Sequence, residues 1–154
     1  MEEAFNWATK NGGMCYEADY PYISGKSKTV GECQETCAKN SKVVPLSVSD
    51  VEKNSDGAMM SAVAQQPVSI AIAVNKAFML YKSGIFNSDC GIDLTHALLL
   101  VGYGSDSDGA DFYKLKNSWG TWWGMQGYVL FPRGGGGRKE GQCGMLQYGS
   151  YPNL

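Results

Sequence analysis

The chain contains a single histidine, His96, where Gly91-Ile92-Asp93-Leu94-Thr95 runs into the apolar stretch Ala97-Leu98-Leu99-Leu100-Val101-Gly102-Tyr103. At the mouth of a buried strand an imidazole is held in one orientation and partly stripped of water, which suits a general base or the partner of a thiol. Farther on, Lys116-Asn117-Ser118-Trp119-Gly120-Thr121-Trp122-Trp123-Gly124 follows another strand-like segment. A carboxamide at that strand's end can accept a hydrogen bond from the far ring nitrogen of His96, fixing its tautomer as the third member of a triad does. Trp119, two residues beyond Asn117, can cover that bond from water and so strengthen it. Each piece alone has a plainer explanation: a histidine satisfied by a backbone carbonyl, an asparagine capping a turn, tryptophans filling a core.

The elements that must position these residues are legible in outline. Glu2 to Lys10 patterns as a short helix, with Gly12 or Gly13 ready to cap its C-terminus; nothing ahead of Glu2 caps its start, as if the chain were cut there. Tyr16 to Val44 reads as irregular, with Cys15, Cys33 and Cys37 as loop staples. Ser55-Asp56 supplies an N-terminal cap for a helix over Gly57 to Gln66, which Pro67 ends. Val68 to Val74 is a buried-strand run, and Asn75 to Lys82 allows one more helical turn before Gly84. Ala97 to Tyr103, Phe112 to Lys116 and Gly127 to Phe131 complete a set of strands joined by Gly/Asp/Ser loops, the pattern of an antiparallel barrel or sandwich. Gly134 to Gly137 reads as a mobile surface loop. It is not a phosphate cradle, because no Lys-Ser/Thr follows in register.

Composition narrows the function classes. Apolar residues make up 44% of the 154 residues, as in a folded domain, and the net charge of −2 gives no electrostatic reason for a nucleic-acid or membrane partner. No apolar run approaches the ~20 residues that span a bilayer. No cofactor or metal is expected. The five cysteines are an odd number, so at least one thiol is free or pairs outside the chain. Disulfides among them would place the protein in an oxidising compartment.

Taken together, the motifs resemble one family. Asp93-Leu94-Thr95-His96-Ala97-Leu98-Leu99-Leu100-Val101-Gly102-Tyr103-Gly104 is similar to the histidine segment of papain-like (cathepsin L-like) cysteine proteases, and Lys116-Asn117-Ser118-Trp119-Gly120 with Trp123-Gly124 and Gly127-Tyr128 to their asparagine segment. Asp19-Tyr20-Pro21-Tyr22, Gln66-Pro67-Val68-Ser69-Ile70, Tyr81-Lys82-Ser83-Gly84-Ile85-Phe86, Cys143-Gly144 and Tyr151-Pro152 match in order. The resemblance implies an α+β, papain-like fold. Residues 1–40 would be a remnant of the helical domain with a cysteine-rich loop, and residues 41–154 the antiparallel barrel domain that carries the site.

It also implies roles. His96 would pair with a cysteine thiolate and later protonate the leaving amine, Asn117 would orient it, and Trp119 would shield the pair. Trp123 would border the leaving-group side of the cleft. Ala71, Leu94, Ala97 and Tyr148 would line a mostly apolar pocket for the second residue before the cut bond, with Thr95 among the substrate-facing residues. Cys90 and Cys143 match a family disulfide, and Cys33 matches a cysteine whose family partner lies in the half this sequence lacks. Cys15 and Cys37 have no general counterpart in the family, but they share one loop region and are expected to pair.

The family's nucleophile sits in a Gln…Cys-Gly-Ser-Cys-Trp segment that this sequence does not contain. Counting back from His96 and Asn117 by the family spacing places it roughly 35 residues before Met1. None of the five cysteines is set at a helix N-terminus, where a thiolate would be stabilised. The expectation is therefore the C-terminal portion of a thiol endopeptidase, completed by a polypeptide that brings the cysteine and acting on protein or peptide substrates in a lysosome, vacuole or secreted setting. The alternative is a catalytically dead, protease-derived structural or interaction subunit. Local departures from the family are Thr95 where Asp or Asn is common before the histidine, Trp122 where glycine is usual, and an inserted polar turn from Gly104 to Ala110.

Overall fold

The computed structural model describes residues 1–33, 44–134 and 137–154. The pairing expected of Cys15 with Cys37 and the centre of the four-glycine run fall outside the described residues. Two compact units form: Met1–Val48 with Pro152–Leu154, and Ser49–Tyr151.

In the first unit, helix α1 spans Glu2–Lys10 and buries Ala8. Glu2 and Glu3 in its first turn and Lys10 in its last complement the helix dipole. Asn11 ends it through a bond from its N–H to the Trp7 carbonyl, and the left-handed glycines Gly12 and Gly13 turn the chain away. A single extra turn, α2 (Ser24–Ser27), interrupts the stretch that composition marks as irregular. Around it Tyr22, Ile23 and Val30 are well exposed.

The second unit is built on an antiparallel sheet. The strands are β1 (Ser47–Asp50), β2 (Val68–Ile72), β3 (His96–Ser105), β4 (Asp111–Lys116), β5 (Tyr128–Pro132) and β6 (Gly149–Asn153), in spatial order β1-β6-β2-β3-β4-β5. The side chains alternate as a half-buried sheet requires. Val68, Ile70 and Ile72 of β2, Leu98 and Leu100 of β3, Tyr113 and Leu115 of β4, and Val129 and Phe131 of β5 all enter one core. A bulge between Leu100 and Gly102 inserts one extra residue in β3, after which the strand pairs Tyr103 with Tyr113.

The middle strands lie where the apolar runs predict them. The two strands on the far side of β2, β6 and β1, carry no apolar run. Gly149 lets β6 pack closely: a Cβ there would stand 2.9 Å from Met59 Cε. β2 stops two residues short of its expected end, because the Ala73 N–H turns to the Cys143 carbonyl at 2.8 Å.

Helix α3 (Asp56–Val63) starts one residue earlier than expected and stops earlier. Ser55 Oγ caps it by accepting from the Ala58 N–H, and the chain must already be extended at Gln66, ahead of Pro67. Asp56 also ties the helix to the sheet. Its carboxylate accepts from the Tyr113 hydroxyl at 2.7 Å and from the Gly134 N–H at 3.2 Å. The turn expected after Asn75 is α4 (Lys76–Met79), capped by Asn75 Oδ1 on the Phe78 N–H. Cys90 and Cys143 are joined by a disulfide with Cα atoms 5.1 Å apart.

Burial, reinforced by the Asp56 carboxylate, holds the Tyr113 phenol proton far above the usual tyrosine range. The unfolded chain loses that proton above about pH 10, so the contribution is intact below that pH and fades as pH rises beyond it. Tyr113→Phe is expected to lower unfolding free energy in urea by about 1 kcal/mol at neutral pH. The gap between the two proteins should narrow above about pH 10.

Candidate active site

The register of β3 on β4 brings His96 and Asn117 to the same end of the sheet. Leu99 pairs with Lys116, so the first residues of β3 and the residue just past β4 emerge side by side. Alternation then sets the face. His96 follows the inward phase of Leu98 and Leu100, and Asn117 that of Tyr113 and Leu115. Both side chains thus sit at the rim of the core, His96 half-buried and Asn117 buried.

His96 Nε2 lies 2.9 Å from Asn117 Oδ1. The same oxygen accepts from the Ser118 N–H at 2.8 Å. A backbone N–H can only donate, so it fixes the amide with oxygen toward the ring. Nε2 must then carry the ring proton and donate it, which leaves Nδ1 with a lone pair. The Asn117 backbone is itself held by a 2.8 Å bond from its N–H to the Gly127 carbonyl. Its Nδ2 is buried without a partner among the described residues, a cost the site bears to keep Oδ1 turned to the imidazole.

Above the pair lies Trp119, its ring centroid 5.0 Å from that of His96 and the planes 31° apart. Trp119 packs in turn on Trp123 at 5.3 Å and on Phe78 at 5.6 Å. Phe78 also reaches His96 at 6.5 Å. The sequence reading passed over Phe78; the one signal available was an aromatic three residues after an asparagine suited to cap a turn.

Trp123, expected to border the leaving-group side of the cleft, is only 2% exposed. Its indole N–H donates to the Met79 carbonyl at 3.0 Å, and Phe78 and Tyr81 enclose its ring. It underpins Trp119 from inside the core. The exposed indole of the segment is Trp122, at 76%.

The residues expected to line a pocket fall in two groups. Ala71 and Ala97 are cross-strand partners, and the Ala71 N–H reaches toward the Tyr148 carbonyl at 3.4 Å. These three positions therefore adjoin one another. By alternation Ala71 and Ala97 face away from Ile70, Ile72 and Leu98, so they lie on the opposite side of the sheet from the core. Leu94, partly exposed, lies beside Gly144, whose added Cβ would meet Leu94 Cδ2 at 3.0 Å. Thr95 is exposed and anchors the start of β3 through its N–H to the Ile72 carbonyl at 2.9 Å.

The arrangement is an oriented imidazole under an indole, with its second ring nitrogen carrying a lone pair. The family model of the papain family cysteine proteases matches residues 1–153. The chain belongs to the papain family. Among its relatives are cysteine proteinase COT44 of Brassica napus, 44% identical over 154 residues, and the probable cysteine protease RD21B of Arabidopsis thaliana, 42% identical. The match covers 99% of this chain but 45% and 32% of those proteins, so the chain spans less than half the length of these curated relatives.

Among solved structures, the bromelain protease from Ananas comosus in complex with the E64 inhibitor matches with a TM-score of 0.91 at 35% identity, over 99% of this chain and 68% of that one. The proform of the ragweed pollen allergen cysteine protease Amb a 11 matches with a TM-score of 0.89 at 34% identity, over 100% of this chain and 45% of that one. The papain-like fold expected from the motifs is the fold present.

With one histidine in the chain, its ring nitrogens can be read without assignment ambiguity. A long-range proton–nitrogen correlation above the imidazole's titration is expected to show the Nε2–H tautomer alone. In Asn117→Ala the same spectrum should move toward a mixture of the two tautomers. A wild-type spectrum showing the proton on Nδ1 would refute the assignment.

Proposed function

We propose that this chain supplies the histidine–asparagine half of a thiol endopeptidase, with the nucleophilic cysteine carried on polypeptide outside residues 1–154. The observation that carries the reading is the 2.9 Å contact between His96 Nε2 and Asn117 Oδ1, covered by Trp119 at 5.0 Å. His96 Nδ1 is the atom that takes the thiol proton, giving a thiolate–imidazolium pair. The sulfur attacks the carbonyl carbon of the peptide bond. Nδ1–H then passes its proton to the departing amine nitrogen, leaving an acyl-enzyme. In the second half Nδ1 takes a proton from water, whose oxygen displaces the sulfur and releases the carboxylic acid. Asn117 positions the ring throughout without touching the substrate.

Specificity on the acyl side belongs to the surface around Ala71, Leu94, Ala97 and Tyr148. Its two alanines leave room and its walls are apolar, so it suits a hydrophobic side chain at the second residue before the cut bond. Thr95, exposed at the start of β3, lies along the same approach.

The partner that brings the cysteine also has a surface to cover. Met14, Tyr22, Ile23 and Val30 of the first unit are 56 to 100% exposed, more apolar surface than a small free-standing unit usually leaves in water. The Cys90–Cys143 disulfide supports an oxidising compartment, vacuolar, lysosomal or secreted.

The test is a single-chain chimera that joins the part of the Brassica napus relative preceding its matched region to Met1 of this chain. It is expected to cleave Phe-Arg-type peptide substrates and to be inactivated by a thiol-directed epoxide. His96→Ala should lower kcat/KM by roughly 10²–10⁴-fold with an unchanged circular dichroism spectrum. Asn117→Ala should lower it by roughly 10²-fold, through loss of orientation. Full activity in the His96→Ala chimera would sink the proposal.

A further inference from the structure

Trp122 is the most exposed tryptophan of the chain, at 76%, and it stands three residues from the indole that covers His96. An indole held in water offers a broad apolar face to whatever approaches it. It is not a loose side chain on a loose loop. The turn that bears it is fixed at both ends. The Trp123 N–H donates to the Gly120 carbonyl at 3.4 Å, the Gly127 N–H to the Trp123 carbonyl at 2.8 Å, and the Met125 N–H to the Tyr128 carbonyl at 2.9 Å.

The Gly127 carbonyl in turn receives the Asn117 N–H, so one set of bonds positions both Asn117 and the turn. Gly124 takes a left-handed conformation at φ 57°, and a Cβ there would stand 2.6 Å from the Tyr128 carbonyl oxygen. The Trp122 ring lies over Gly120, where an added Cβ would meet Cδ1 and Nε1 at 3.0 Å. The exposed indole is therefore set over Gly120, in the same turn that follows Trp119, rather than free to collapse onto the surface.

We propose that Trp122 is a specificity-determining residue that receives an apolar or aromatic side chain on the part of the peptide that departs with the amine. This rests on the thiol-protease reading above. The imidazole must reach the departing nitrogen to protonate it, so the residue attached to that nitrogen passes the rings flanking His96. Trp119 covers the imidazole, and Trp122, three residues farther along the same turn, has its ring open to contact. Such a fixed flat surface binds apolar and aromatic side chains at little cost in ordering.

The test uses the chimera described above with two kinds of substrate. One carries a dye as leaving group and nothing after the cut bond. The others are internally quenched peptides identical except for Phe or Gly immediately after that bond. The chimera is expected to prefer Phe over Gly by about 10-fold in kcat/KM. Trp122→Gly should erase that preference while the dye substrate stays within ~2-fold, and Trp122→Phe should keep most of it.

A preference that survives in Trp122→Gly, or a dye substrate that loses as much as the peptides, overturns the proposal; the latter would mean that the side chain only braces the turn. A second readout needs no catalysis. Titrating the chain with Phe-Gly amide should move the Trp122 indole N–H resonance, while Gly-Gly amide leaves it in place. Equal or absent shifts overturn the proposal even if the chimera cleaves peptides. An inactive chimera with a Phe-specific shift would remove the protease reading and leave the contact.

Discussion

The site depends on one oxygen atom accepting two hydrogen bonds. Asn117 Oδ1 takes the Ser118 N–H and the His96 Nε2–H, at 2.8 and 2.9 Å. The first bond is local and settles which way the amide points. The second passes that choice to the imidazole. Because the backbone donor cannot reverse its role, the tautomer of His96 is dictated by covalent structure one residue away from Asn117. Everything else in the second unit serves to bring those atoms together and keep water off them. The β3–β4 register aligns the ends of the strands, the Gly127 carbonyl fixes the Asn117 backbone, and the layer of Phe78, Trp119 and Trp123 walls in the ring.

Sheet geometry also explains how one strand end can serve two purposes. His96 and Ala97 are neighbours in sequence and therefore point to opposite faces. His96 follows the core-facing phase, where aromatic packing can orient and desolvate it. Ala97 joins Ala71 on the other face, the one that the proposed function gives to a side chain of the substrate. A one-residue slip of β3 would exchange the two faces and destroy both arrangements. The bulge after Leu100 lies beyond this region, so the extra residue leaves the pairing at the His96 end untouched.

Much of this was legible in the sequence because it is carried by strong local patterns. Apolar runs marked β2, β3, β4 and β5, Ser55-Asp56 marked the start of α3, and the segments around His96 and Asn117 marked the three side chains that the fold brings together. What escaped was set by tertiary context. β1 and β6 are short and polar, and they become strands only because β2 and its neighbours offer an edge. Phe78 belongs to the site through a helix of one turn, too short to show periodicity. Trp122 and Trp123 are adjacent and chemically identical in the sequence. Only the fold decides that one is sealed against Met79 and Tyr81 while the other stands in solvent.

In the proposed function, His96 Nδ1 faces a sulfur supplied from outside residues 1–154 and holds it as a thiolate. The most direct measurement is the rate of alkylation of the chimera's nucleophilic cysteine by iodoacetamide as a function of pH. The account predicts rapid alkylation persisting well below the ordinary thiol pKa of about 8.5, and a return to that ordinary profile when His96 is replaced by alanine. A wild-type profile that already rises only near pH ~8.5, or one that His96→Ala leaves unchanged, would contradict it.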